Sequence, residues 1–405
     1  MKIYISGISG TGMGPLALMA KAAGFEVLGS DVSRGAVYDE LVRAGISVFI
    51  GEQDGEFLRE NLEGLSWFVY TSALPEGHPE LSLAREAGVR VSKRDELTAF
   101  LVSELGLKMV AVAGTHGKTT TTAMIVYAAL KLGLPVSYIV GTTLGFAPSG
   151  SFKEGDRYFV YEADEYDRNF LKFYPWRAIF TVVSYDHPDI YPTREDYEAA
   201  FKEFEAQSEG VIWEPSISPE EFSLAGEVRG YDAALAFSAI TEMAPEVSGE
   251  RIIEILNEFP GVGRRFERLS EGIYTDYAHH PEEISATMGI AVDEAKIRGF
   301  KGVVAIYQPH QNTRQHEVRD GYVDAFSGAE RVLWLPTYLI RENPELPILS
   351  AEELVSGLSN SGVAEVVDFS DELFRRILEY RDVGYLVLLM TAGPGDGWLR
   401  GKLGV

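Results

Sequence analysis

The chain has no cysteine in 405 residues, which excludes disulfides and thiolate metal sites and is compatible with a reducing compartment. Positive charge is scarce: 36 Lys and Arg stand against 61 Asp and Glu, a net charge of −25. Such a balance argues against non-specific nucleic-acid binding and against attraction to anionic membranes. No apolar run reaches transmembrane length, and the opening MKIYISGISG lacks the basic region and long apolar stretch of a secretory signal. Internal repeats and low-complexity tracts are absent too. These absences predict a cytoplasmic protein with no nucleic-acid and no membrane partner. Hydrophobic residues make up 46% of the chain, enough for a core in each of two or three domains.

What is present is glycine between strand and helix. Residues 110–124 read VAVAGTHGKTTTTAM: Val110–Ala113 suit a buried strand, and the run from Thr119 through Ala129 suits a helix. Between them Gly114, Thr115, His116, Gly117, Lys118, Thr119 and Thr120 form a phosphate cradle, in which backbone N–H groups and a helix N-terminus face an anion. Lys118 is placed to reach terminal phosphates, and the Thr119 hydroxyl to sit on Mg²⁺. Val112 stands where the full motif has its first glycine, so this is a shortened P-loop.

A second glycine turn lies at the start. Lys2–Ser6 reads as a strand, Gly7 to Gly14 (GISGTGMG) as a turn, Pro15–Ala23 as a helix, and Glu26–Gly29 as a strand ending at Asp31. This is close to the dinucleotide fingerprint, which admits a nicotinamide-dependent oxidoreductase; the same geometry holds any pyrophosphate, including that of a nucleotide sugar. Further alternation (Trp67–Thr71, Pro79–Ala87, Val89–Ser92, Glu96–Leu105) makes 1–107 one Rossmann-type domain, with Gly106-Leu107-Lys108 as linker.

Two strands after the P-loop deliver acidic clusters. Tyr158–Tyr161 leads into Glu162-Ala-Asp164-Glu165-Tyr-Asp167, and Ala178–Val183 into Ser184-Tyr-Asp186-His187. Strand C-terminal ends are where open α/β sheets place ligand chemistry, and Mg²⁺ wants the oxygens that Glu162 or Asp164 can supply. Both aspartates are also suited to capping turns. Thr193–Gln207 reads as a helix, 210–230 as a short irregular passage, and Asp232–Met243 and Gly249–Phe259 as helices. The last third alternates again: strands at Ile273–Tyr277, Gly302–Tyr307, Val332–Leu335, Glu365–Val367 and Tyr385–Met390, with helices that include Glu282–Arg298 and Arg319–Phe326. It carries three polar strand ends: Asp276-Tyr-Ala-His279-His280, Gln308-Pro-His310…Arg314, and the glycine loop Gly393–Gly397.

The motifs GTHGKTTTT, EADEYD, YDHPDIY, GVGRRFE, DYAHHPEEI and QPH…TR, in this order and spacing, resemble the Mur ligases of peptidoglycan synthesis. The resemblance runs from GISGTGMG to GPGD and implies an α/β protein of three domains: an N-terminal Rossmann-like one for a UDP-sugar (1–107), a central P-loop mononucleotide-binding one for ATP (108–263) and a C-terminal Rossmann-like one on the amino-acid side (264–405). It implies a ligase in which ATP phosphorylates a carboxylate and an amine then displaces phosphate. Carried over residue by residue, Lys118, Glu162, His187, His279 and His280 are catalytic, and Thr119, Glu162 and His187 hold metal. Arg265 and Asp276 join the P-loop residues on ATP. Gly10, Thr11, Gly12, Met13, Asp31, Ser72, His310 and Arg314 serve the UDP-sugar. Within the family, TSALPEGHPEL, DYAHHPEEI and GPGD are nearest to the members that add L-alanine to UDP-N-acetylmuramate. Features shared with murein-tripeptide ligases of wall recycling, EADEYD and Asn312-Thr313, make that the alternative, beside a non-catalytic UDP-sugar-binding relative.

Three positions depart from the family pattern. The passage before the adenine-holding signature is cut to 210–230, and the signature itself reads Gly230-Tyr231-Asp232-Ala-Ala-Leu235, without either asparagine. Gln311 replaces an arginine after QPH. Lys202 falls where other members carry a carbamylated lysine, although on an amphipathic helix a lysine is usually only a solvated charge.

Overall fold

The structure, a computed structural model, describes all residues except Ser72, Ala73, Pro188, Asp189, Arg341 and Asn360, and the side chain of Glu227. It packs into two compact units, residues 1–222 with 231–260, and residues 223–230 with 261–405.

The first unit contains two sheets. In the first, β1 (Lys2–Ser6), β2 (Glu26–Asp31), β3 (Ser47–Ile50), β4 (Leu65–Tyr70) and β5 (Arg90–Lys93) run parallel in the order 3-2-1-4-5. Helices α1 (Gly14–Ala22), α2 (Tyr38–Arg43), α3 (Glu56–Glu60), α4 (Pro79–Glu86) and α5 (Arg94–Glu104) connect and cover it. The hairpin-free region 38–60, unassigned from sequence, thus holds α2, β3 and α3; Ser47–Ile50 is an edge strand with a single partner and lacks the apolar alternation that marks a half-buried strand.

The second sheet takes β6 (Lys108–Ala113), β7 (Val136–Ile139), β8 (Gly150–Ser151), β9 (Tyr158–Glu162), β10 (Arg177–Phe180) and β11 (Val211–Ile212) in the order 11-10-6-9-7-8, with only the short β8 antiparallel. Its helices are α6 (Lys118–Leu132), α7 (Arg194–Ala206), α8 (Glu227–Met243) and α9 (Gly249–Asn257). Part of the 210–230 passage is therefore regular: β11 pairs with β10, and α8 begins at Glu227. Both β1 and β6 lie inside their sheets, and each is followed by a glycine turn at its C-terminal end. That is the switch point where open α/β sheets bind ligands.

In the second unit β12 (Glu267–Ser270), β13 (Ile273–Asp276), β14 (Val303–Gln308), β15 (Ala329–Trp334), β16 (Ala364–Val366) and β17 (Leu386–Thr391) take the order 12-13-17-14-15-16, with β12 antiparallel. Between them run α10 (Pro281–Arg298), α11 (Asn312–Val318), α12 (Ala351–Ser356) and α13 (Asp371–Asp382), and α14 (Gly395–Leu403) closes the chain. The helix expected over Arg319–Phe326 is displaced: α11 starts at Asn312, and only a 3₁₀ turn covers Arg319–Tyr322. The cause is a tertiary cap. Glu342, thirty residues on, accepts the N–H groups of Asn312 and Thr313 at 3.0 and 2.9 Å, satisfying a helix start that no local residue announces.

Candidate active site

The P-loop is built by what surrounds its glycines. Gly114 and Gly117 have positive φ, +141° and +88°. A Cβ on Gly117 would stand 2.7 Å from Asp232 Oδ1, and one on Gly114 would collide with the Thr181 hydroxyl. The loop is fastened to the end of β10: Thr115 and His116 donate their N–H groups to Val182 O at 2.7 and 3.2 Å, and Thr115 Oγ1 donates to Ser184 O at 2.6 Å. Helix α6 then starts at Lys118, one residue earlier than expected.

Lys118 turns back over this loop. Its Nζ donates to the carbonyls of Gly114 and Thr115 and pairs with Glu165 at 3.1 Å (Oε1) and 2.8 Å (Oε2). Glu165 is 1% exposed, and its Oε1 also lies 3.7 Å from His187 Nε2. Burial works to lower the Lys118 pKa, but the carboxylates of Glu165 and Glu162 outweigh it and the shift is upward. Burial opposes ionisation of Glu165; Lys118 and the His187 hydrogen bond prevail and hold it below its ordinary value. For His187 burial is again overcome, here by Glu165 and Asp186, and its pKa rises. All three groups therefore favour their charged forms. His187 sits at φ +58°, and the neighbouring acidic loop has Asp167 and Arg168 at +55°: non-glycine left-handed residues concentrated where strain is held by surrounding contacts.

Thr119 donates its hydroxyl to Glu162 Oε1 at 2.8 Å, while Glu162 Oε2 is buried without a hydrogen-bond partner. An unsatisfied buried carboxylate oxygen next to a hydroxyl, at the mouth of a phosphate cradle, is a donor set that suits a hard divalent cation completing its shell with phosphates and water. His187, expected to hold or orient a second Mg²⁺, faces Glu165 and Asp186, 3.7 and 3.6 Å away. Among the described residues no group of three or more His, Asp or Glu side chains is arranged to hold a metal. Asp164, offered as an alternative ligand, is committed to Arg94 Nη2 at 2.7 Å, so oxygen supply falls to Glu162. Thr120 is half-buried on α6. Lys202 is exposed on α7, in keeping with a solvated charge.

At the N-terminal turn Gly10 and Gly12 are half-buried and Thr11 is exposed. Met13 is a correction: its side chain is buried in the core at 3% exposure, so only its backbone can serve a ligand. Asp31 closes the turn by accepting Ser9 N–H at 2.9 Å. Ser72 lies outside the described residues.

The second unit gathers its own cluster. Asp276 is buried and accepts Phe266 and Ala278 N–H groups at 2.6 and 2.7 Å. Burial raises its pKa against the pull of Arg265, whose guanidinium lies over the Tyr277 ring at 5.3 Å. Glu283 Oε2 accepts the N–H groups of His279 and His280 at 3.0 and 3.3 Å, starting α10. His279 Nδ1 lies 3.1 Å from Tyr277 O and 3.2 Å from Glu283 Oε2, two groups that only accept, so the ring is oriented with Nδ1 as its donor and Nε2 turned away from them. The His279 and His310 rings are 5.9 Å apart. Gln308 Oε1 takes Thr391 Oγ1 at 2.8 Å and Gly395 N–H at 3.3 Å, tying the QPH turn to the last glycine loop. Arg314 is half-buried on α11.

Sequence reasoning missed three residues here. Glu165 was visible inside EADEYD but signalled no partner. Asp232, buried, accepts Thr121 Oγ1 at 3.0 Å and backs Gly117; the sequence shows it only as part of the altered adenine signature. Arg94 belonged to no motif.

Parallel sheets with a shortened P-loop, a buried lysine–glutamate pair and a carboxylate beside the loop threonine define a mononucleotide-binding enzyme, and the chain belongs to the Mur ligase family. It matches the Mur ligase catalytic domain over residues 2–104 and the Mur ligase middle domain over 112–214. Among curated proteins it is 32% identical to the UDP-N-acetylmuramate–L-alanine ligase of Fusobacterium nucleatum, across 91% of this chain and 90% of that one. It is 31% identical to the enzyme of the same name from Carboxydothermus hydrogenoformans, across 97% and 94%. Its fold is like that of the UDP-N-acetylmuramate-alanine ligase of Thermotoga maritima, with a TM-score of 0.79, 24% identity and coverage of 100% of this chain and 98% of that one. A murein peptide ligase from Psychrobacter arcticus is similar in fold at a TM-score of 0.66. Among the described residues no helix is long and apolar enough to cross a membrane.

Proposed function

We propose that this chain is an ATP-dependent ligase that joins L-alanine to the carboxylate of UDP-N-acetylmuramate. The observation that carries this reading is the P-loop lysine held charged by Glu165, beside the Thr119–Glu162 oxygen pair, in a chain that matches alanine-adding relatives over nearly its whole length. A carboxylate is a poor electrophile; transfer of the γ-phosphoryl of ATP to its oxygen gives an acyl phosphate, which the alanine amine attacks to form the amide and release phosphate. Bringing an anionic carboxylate to an anionic triphosphate requires positive charge set in place beforehand.

Lys118 supplies that charge at the phosphates, and Gly114–Thr120 supply backbone N–H groups. Mg²⁺, when bound, would neutralise phosphate charge; Thr119 and Glu162 are the residues to hold it at the γ-phosphate, and His187, set by Glu165, is the residue to hold or orient a second Mg²⁺. Arg265 and Asp276 are the residues for ATP phosphate and ribose. His279 accepts the proton of the attacking amine on Nε2, His280 belongs to the same strand end, and His310 and Arg314 receive substrate carboxylate. The glycine turn Gly10–Gly14 with Asp31 takes the UDP moiety. The three domains implied are 1–107, 108–263 and 264–405, and the reaction belongs to the cytoplasm.

The test is phosphate release from ATP with UDP-N-acetylmuramate, across single amino acids and murein tripeptide. Release dependent on L-alanine is the expected result. Release with tripeptide alone would move the protein to wall recycling. Release with a nucleoside triphosphate other than ATP would tie the missing asparagines to base choice, and silence with all of them would favour a UDP-sugar-binding protein without catalysis.

A further inference from the structure

One side chain joins the glycine turn after β1 to the acidic loop after β9, and neither motif contains it. Arg94 opens α5 where β5 ends, at the C-terminal edge of the first sheet. Its Nη2 donates to Asp164 Oδ2 at 2.7 Å. The other oxygen of that carboxylate, Oδ1, accepts Tyr166 N–H at 3.1 Å, so the aspartate is itself held on both sides. The other terminal nitrogen of Arg94 is presented to the turn: a Cβ on Gly12 would stand 2.8 Å from Nη1. A side chain at position 12 would press on the guanidinium that Asp164 holds.

The charge argument points the same way. Residues Gly7–Gly14 carry no charged side chain, and Asp31, which closes the turn, brings a negative one. An anion there has backbone N–H groups to meet but needs a cation from outside the motif. Arg94 is that cation. With Nη2 fastened to Asp164, Nη1 stands over the turn and can meet an anion without a further loss of rotamer freedom on binding. Lys93 beside it is likewise engaged, by Asp167 at 2.7 Å.

We infer that Arg94 is a binding residue of the nucleotide-sugar site: its guanidinium takes an anionic oxygen of the substrate, on the diphosphate or on the muramyl carboxylate, and Asp164 aims it there. This rests on the reading of the Gly10–Gly14 turn as the place of the UDP moiety.

Calorimetric titration of UDP, UDP-N-acetylmuramate and ADP into wild type, Arg94→Ala, Arg94→Lys and Asp164→Asn tests it. Arg94→Ala is expected to weaken both uridine nucleotides at least tenfold if the diphosphate is the target, or UDP-N-acetylmuramate alone if it is the carboxylate, with ADP affinity unchanged in either case. Arg94→Lys recovers part of the loss, because charge returns without the fork. Asp164→Asn gives a smaller loss of the same pattern. Wild-type affinity for both uridine nucleotides in Arg94→Ala overturns the inference. Should Arg94→Ala fail to fold, wild-type affinities in both Arg94→Lys and Asp164→Asn overturn it equally. A wild-type protein that binds ADP but neither uridine nucleotide rejects the reading of the turn, and the inference with it.

Discussion

Glu165 holds the P-loop lysine: both its oxygens lie within 3.1 Å of Lys118 Nζ, in a place where the glutamate is 1% exposed. The same carboxylate reaches toward His187 at 3.7 Å, so one buried anion orders both the P-loop lysine and the histidine after β10. An ion pair so far from water contributes little net stability beyond its own desolvation, but removing one member leaves the other uncompensated.

Lys118→Ala should reduce phosphate release by more than about 100-fold, the scale on which a preorganised charge donor acts. UDP binding should remain near wild type, since the glycine turn of the first sheet does not involve Lys118. Calorimetry with UDP alongside a phosphate-release assay checks both halves; wild-type turnover in this variant would refute the mechanism.

Glu165→Gln should cost about 3 kcal/mol of stability at neutral pH, because Lys118 is left without its counter-charge. The sign of the pH dependence follows from the direction of the shift. Glu165 is held below its ordinary value of 4.5, so its contribution is complete above that pH and fades as pH falls through the lowered value. Lys118 is raised above 10.5, so its share is complete below that pH and fades only as pH rises through the raised value. Denaturant unfolding of the two proteins from pH 7 downward should show the gap closing below 4.5; a constant gap would mean that the pair does not set it.

Glu162→Gln should raise the Mg²⁺ concentration for half-maximal phosphate release by about tenfold or more, because a carboxylate oxygen now without a partner becomes a weaker ligand. ADP binding in the presence of a chelator should change little. An unaltered Mg²⁺ dependence would take Glu162 out of the metal's shell.

Gly117→Ala should lose ADP affinity by about tenfold or more while leaving UDP binding intact. The cause is twofold: φ of +88° costs an alanine about 1 kcal/mol or more, and the new methyl would stand 2.7 Å from Asp232 Oδ1. Pairing the substitution with Asp232→Ala should restore part of the affinity, since it removes the collision but not the backbone strain. No recovery in the double variant would assign the whole effect to φ.

Much of this protein is local, and local features were readable. The apolar strand Val110–Ala113, the glycines after it and the helix beyond specify a phosphate cradle through backbone geometry alone. Glycine placement and the alternation of strands with helices likewise announce an α/β fold, and six ordered motifs announce the Mur ligase family. Each depends on residues close together in the chain. The partners are a different matter. That Glu165 and not solvent meets Lys118, that Asp164 pairs with Arg94, that Met13 is core, and that Glu342 starts a helix thirty residues before it are outcomes of packing between segments far apart. Spacing carries periodicity, turns and caps; it carries no distance between a carboxylate and a cation brought together from different strands, and it is that distance, with the burial around it, that sets which charges this site holds.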